Sequence, residues 1–215
     1  MRAITIGVGY GWSNGPVHKD ERWQELRTFC SAAAEQGRKM AAAMLTRGVS
    51  VEDQECPIVS LALALPRISV ARLRGSIGRF TWDSVRQHID DSDIVVFDVT
   101  PTKLAGKIYR HVSENIWLEI GYALADRQKS VFLVHSEEGG HEMLPSDLRG
   151  LLIGHLPSKS GKQYDVSLRT SLAVEVRRLA IVRVEEVAPS GGTGEAPKVK
   201  TSVSKRKPKA KPSPK

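Results

Sequence analysis

The chain has 215 residues, room for one medium domain with a full core and some extra length, and a formal net charge of +8. The charge is uneven: from Ala188 to Lys215 eight lysines and arginines face a single acid, Glu195, so this segment carries +7 and the remainder, at +1, is close to neutral. Two cysteines far apart, Cys30 and Cys56, with no C-x-x-C spacing and no companion histidine cluster, argue against a disulfide framework and against a metal site. MRAITIGVGYG lacks the apolar stretch of a signal peptide and no run reaches membrane-spanning length, so the expectation is a soluble, cytoplasmic protein without a membrane partner.

In chain order, the β-branched run Ala3 to Val8 predicts a first strand that enters the glycine-rich loop GVGYGWSNG. Trp23, Leu26, Cys30, Ala33, Gly37, Met40 and Met44 recur at alternating spacings of three and four, which predicts a long helix with one buried stripe. Pro57 to Leu65 reads as a second strand or a buried helical turn. Residues 67 to 79 hold Arg67, Arg72, Arg74 and Arg79 without a period, and read either as a solvated connection or as a phosphate-facing basic loop. Thr81 suits the cap of a short helix with Trp82, Val85 and Ile89 on one face, and DIVVFDV, residues 93 to 99, is a strand apolar enough to be covered on both sides. After a loop from Thr100 to His111 come the helix SENIWLEIGYALA, the strand SVFLVH at 130 to 135, a loop containing LPSDLRG, and a last strand within LLIGHL at 151 to 156. Leu168, Leu172, Val176 and Leu179 mark one face of a final helix.

Strands alternating with helices predict an α/β three-layer sandwich over residues 1–187 with a mostly parallel sheet of about five strands. From 188 to 215 proline, glycine, serine and lysine dominate and aromatic residues vanish, which predicts a disordered tail. Its charge suits non-specific, salt-sensitive contact with nucleic acid; a solubilising or localising role suits it equally.

In such a sheet ligands bind beyond the carboxyl ends of the strands. Three segments are expected to converge there: the first glycine loop, Asp98 to Thr102, and the start of the helix that holds Glu119. The loop is neither a G-x-G-x-x-G fingerprint nor a Walker A sequence, and its glycines serve either a turn or the close approach of a ligand. Asp98, with Thr100 and Thr102, either shapes the turn after its strand or meets a ligand. Glu119 stands among Ile116, Trp117, Leu118, Ile120, Tyr122, Ala123 and Leu124, with Asn115 one turn earlier, so its charge requires a partner, whether another residue or a ligand. Asp90, Asp91 and Asp93 have the wrong spacing for a calcium loop, and His111 and His135 have no arrangement that would make a nucleophilic triad.

Together SDIVVFDVT, ENIWLEIGYALA, KSVFLV and LPSDLRG resemble the nucleoside 2-deoxyribosyltransferase-like and TIR-like superfamily of bacterial nucleotide-binding domains over roughly residues 76 to 180. Glu119-Ile120-Gly121-Tyr122-Ala123 matches that group's E-L-G-x-A element with Ile for Leu. The resemblance implies a flavodoxin-like fold and, in active members, cleavage of the bond between a ribose and a base. Carried over, Glu119 is the catalytic carboxylate. Read as an enzyme, the chain uses Asp98 and Asn115 for sugar hydroxyls, with Gly9, Tyr10, Trp12 and Thr100 completing the expected substrate site and Tyr10 or Trp12 over the base. No cofactor is implied, NAD entering only as a substrate. TIR-like relatives act as effectors of antiviral defence, and a homo-oligomer is compatible with this class. One departure is Ser113, where the transferases have an aspartate. The residues favour an N-glycosidase acting on NAD or a nucleoside; the alternative is a non-catalytic nucleotide-sensing module whose basic tail tethers it to nucleic acid.

Overall fold

The computed structural model describes residues 1–10, 15–47, 65–73, 81–103, 110–136, 148, 151, 153–156 and 166–187. The elements are β1 (Ile4–Tyr10), α1 (Gly15–Leu45), β2 (Ile68–Arg72), α2 (Thr81–Asp90), β3 (Ile94–Asp98), β4 (Thr102–Lys103), β5 (Arg110–His111), α3 (Glu114–Ala125), β6 (Ser130–His135), β7 (Ile153–His155) and α4 (Val166–Val187). Among the described residues five strands form one sheet in the order β2-β1-β3-β6-β7, every pair parallel. This is the strand order of the flavodoxin-like fold, and the chain reverses direction across the sheet between β1 and β3.

Alternation along the strands sorts the core into two layers. Ile6, Val8 and Tyr10 of β1 join Ile94 and Val96 of β3 under α1 and α4, where Leu26, Phe29, Cys30, Leu168, Leu172 and Val176 cover them. Val95 and Phe97 face the other way, against Val85 and Ile89 of α2 and Ile116, Ile120 and Ala123 of α3. Every residue of β3 is buried, as its unbroken apolar run predicts for a central parallel strand. Burial pushes the Cys30 thiol up to about 12, so it behaves as a small apolar core group. The α1–α4 crossing depends on Gly37: a Cβ there would lie 2.5 Å from the Ala173 carbonyl oxygen and 2.8 Å from Val176.

Six expectations need revision or fall outside the description. The segment 67–79 contains a strand, β2, which takes the sheet edge beside β1; Ile68 and Val70 pack toward α1 while arginines at the ends of the run hide its strand character. The expected loop from Thr100 to His111 contains a short antiparallel pair, Thr102 with His111 and Lys103 with Arg110. The stripe of α1 ends before Met44, which is 52% exposed. The strand expected at Pro57 to Leu65 lies outside the described residues except for Leu65, as do the tail from 188 and all of LPSDLRG but Leu148.

Candidate functional site

Glu119 comes to rest over the central strand because β1 has no side chain there. A Cβ built on Gly9 would lie 3.0 Å from Glu119 Oε2 and 2.6 Å from the ring of Phe97, so the glycine is what allows the carboxylate and the aromatic ring to meet the strand backbone. Gly9 pairs with Phe97 in register, one residue from the carboxyl ends of β1 and β3, which is where the strand order reverses. Among the described residues Glu119 makes no hydrogen bond or ion pair. Desolvation by burial alone pushes its carboxyl from 4.5 up to about 7.

The helix that carries it is less enclosed than its sequence suggests. Ile116, Ile120 and Ala123 are buried, but Leu118 is 56% exposed and Gly121 and Leu124 also face outward. Glu119 itself is half-buried. Asn115, one turn earlier, is exposed.

Asp98 and Tyr10 belong to the opposite layer. Asp98 follows Ile94 and Val96 in alternation, so it points toward α1, where Arg22 Nε donates to its Oδ2 at 2.7 Å. Arg22 Nη1 donates in turn to Glu25 Oε2 and to the Leu156 carbonyl, each at 3.0 Å. Burial works against the Arg22 cation, and the charge and hydrogen bond of Asp98 outweigh it, leaving its pKa above the ordinary value. Asp98 Oδ1 accepts from the Thr100 amide at 3.1 Å and from the Thr100 hydroxyl. That hydroxyl oxygen accepts the Ser136 amide at 2.9 Å, and the Ser136 carbonyl meets His155 Nε2 at 3.0 Å. One chain of hydrogen bonds thus ties together the carboxyl ends of β3, β6 and β7.

Tyr10 stacks on Trp23 at 6.3 Å, with the Arg72 guanidinium 4.6 Å over its ring, and its hydroxyl is buried without a partner. The structure therefore brings Gly9 and Glu119 together, with Asn115 alongside, and places Asp98, Thr100 and Tyr10 at the same edge on the α1 side; Trp12 lies outside the described residues. Sequence reasoning missed Arg22, although it stands four residues before Leu26 and hence on the buried stripe of α1. Among the described residues no group of three metal-ligating side chains comes together, and no helix is long and apolar enough to cross a membrane.

The fold and edge geometry define a flavodoxin-like α/β domain with a carboxylate at its switch point that is unpaired among the described residues. No protein-family model matches the chain, and no curated protein matches it. Among solved structures it is similar to a 2-desoxiribosyltransferase from Leishmania mexicana, at 13% identity and a TM-score of 0.39, over 80% of this chain and 97% of that one. It is also similar to a diflavin flavoprotein from Nostoc sp., at 13% identity and a TM-score of 0.36, over 86% and 98% of the two chains. A flavodoxin-like domain from Synechococcus sp. gives 14% identity and a TM-score of 0.34, over 83% and 99%. These likenesses are distant and concern the fold.

Proposed function

We propose that the domain binds a nucleotide or nucleoside at the carboxyl ends of β1 and β3 and cleaves its N-glycosidic bond through Glu119. The observation that carries this reading is a half-buried carboxylate without a partner among the described residues, pushed up to about 7 by burial, lying against the Gly9 backbone at the switch point. A buried charge without a partner is costly, and an electron-poor sugar carbon is the kind of group that would compensate it. In the reaction a Glu119 oxygen bonds to the anomeric carbon while the carbon–nitrogen bond breaks and its electron pair leaves with the base. Water then attacks the same carbon and releases the glutamate, and its proton passes to solvent when the base leaves neutral, as nicotinamide does, or to the departed base anion when the substrate is a neutral nucleoside. Asn115, one turn away on the same helix, is assigned a sugar hydroxyl in this reading, and NAD is a substrate of the required class.

The test is to incubate the full chain with NAD and a panel of nucleosides and follow base release by chromatography. Glu119→Gln should lower the rate by roughly 100-fold or more while leaving ligand affinity within a few-fold. The rate should rise with pH through about 7 as the carboxyl ionises. Intact substrates at every pH would overturn the reading.

A second reading, a nucleotide-sensing module without chemistry, is favoured by a specific observation. Asp98 is already engaged by Arg22 and Thr100, and Ser113 stands where the transferases that the sequence resembles have an aspartate. Nucleotide binding that survives Glu119→Gln, with no base released by either protein, would select it.

A further inference from the structure

We propose that the outer edge of β2 is a docking site for an extended acidic segment of a partner protein, taken up as an added strand beneath α1. The register fixes which backbone groups point outward. Ile4 N donates to Arg67 O at 2.9 Å and Leu73 N to Val8 O at 2.9 Å. Because a parallel strand alternates its two sides, Arg67, Ser69, Ala71 and Leu73 turn their amides and carbonyls to β1, while those of Ile68 and Val70 point away from the sheet. Among the described residues no strand pairs with that edge, and an open row of this kind is a template for another chain.

Beside the edge lies a groove of about 370 Å³ whose described lining runs along one face of α1, from Arg27 through Ser31, Ala34 and Glu35 to Arg38, with Ile68 and Val70 as floor. Ser31 and Ala34 keep its centre small, Arg27 stands at one end, and Arg38 stands at the other beside the carboxylate of Glu35, which Lys39 also approaches at 3.8 Å. Arg38 Nε is buried without a hydrogen-bond partner, and the contact of the Arg38 guanidinium with Glu35 is long, at 3.9 Å. Eleven residues of helix put the two arginines about 16 Å apart. Residues i and i+4 of an added strand, whose side chains share one face, are about 13 Å apart, a difference that arginine side chains span. The occupant this spacing fits has an acidic residue at each end of a five-residue strand and a small one between them.

The probe is a fluorescein-labelled peptide GEVSVEG, compared with GKVSVKG by fluorescence anisotropy on the full chain. The acidic peptide should bind at least about tenfold more tightly, by the loss of two charge-assisted contacts, and the double variant Arg27→Glu, Arg38→Glu should invert the preference. N-methylation of both valines or, in a second peptide, of the serine and second glutamate removes the ladder donors of a parallel or an antiparallel added strand respectively, without altering the protein, and one of the two should abolish binding; Val70→Pro, checked for its fold by circular dichroism, removes the matching donor from β2. Equal affinity for the two peptides, no saturable binding of either, or indifference to N-methylation would overturn the proposal. A concentration-dependent dimer lost on Val70→Pro would assign the edge to a second copy and overturn it too.

Discussion

Glu119 holds a proton in the folded chain at pH values where it would have lost it in the unfolded one, and the sign of the consequence follows from linkage. Below 4.5 the group is protonated in both states and contributes no pH dependence. Between 4.5 and about 7 the unfolded chain releases the proton while the folded chain retains it, so stability falls as pH rises, and above 7 the full penalty is present. Glu119→Gln should therefore stabilise the protein at pH 8 by on the order of 2 kcal/mol and have little effect at pH 4.5, in urea unfolding at the two pH values. Equal shifts at both pH values would mean that packing, and not ionisation, sets the cost. The Arg22–Asp98 pair has the opposite character. Its side chains are 12% and 7% exposed, and Asp98→Ala would leave the Arg22 guanidinium with only Glu25 and the Leu156 carbonyl, with an expected loss of about 1–3 kcal/mol. The need of Glu119 for a partner was legible in the sequence, since an acid within an apolar run has few alternatives. That Asp98 would turn away from it was not: alternation sets Asp98 opposite Phe97, but which helix covers each face is decided by strand order.

At the scale of elements, legibility followed hydrophobic contrast. β3 and β6 are apolar runs bounded by polar residues, and both lie where their sequences place them. β2 has the same β-branched character in ISVAR, but an edge strand is half solvated and admits arginines at its ends, which blurs the contrast. The two-residue strands β4 and β5 have no periodicity to read. Packing between elements depends on single positions that no pattern marks. Gly37 is one: Gly37→Val would force α1 and α4 apart at a contact of 2.5 Å to backbone, and should cost about 1–3 kcal/mol or more in thermal or urea unfolding. Unchanged stability would show that the helices can separate without loss.

For the whole molecule the division of charge is the main lever. The segment 188–215 carries +7 against +1 for the rest, and removing it should leave the unfolding midpoint of the domain unchanged within about 1 °C, because a segment of this composition is expected to bury little apolar surface. It should also abolish retention on DNA-cellulose at about 50 mM salt, with the intact chain released well before 200 mM. Equal retention of the shortened protein would separate the tail from nucleic acid altogether. The sandwich itself was legible from the alternation of strands and helices, whereas the partner of α1 was not, because it comes from the far end of the domain.

That last pairing sets the order in which the chain becomes a protein. α1 begins at residue 15 and its principal helix contact is α4, which ends at residue 187. During synthesis the layer over Ile6, Val8 and Ile94 cannot close until almost the whole domain has been made, so α1 lacks its helical neighbour for most of translation. A ribosome stalled between β7 and α4 would hold a chain with a sheet and half a roof on one side, and the hazard for this domain lies in that interval, before its first complete fold exists.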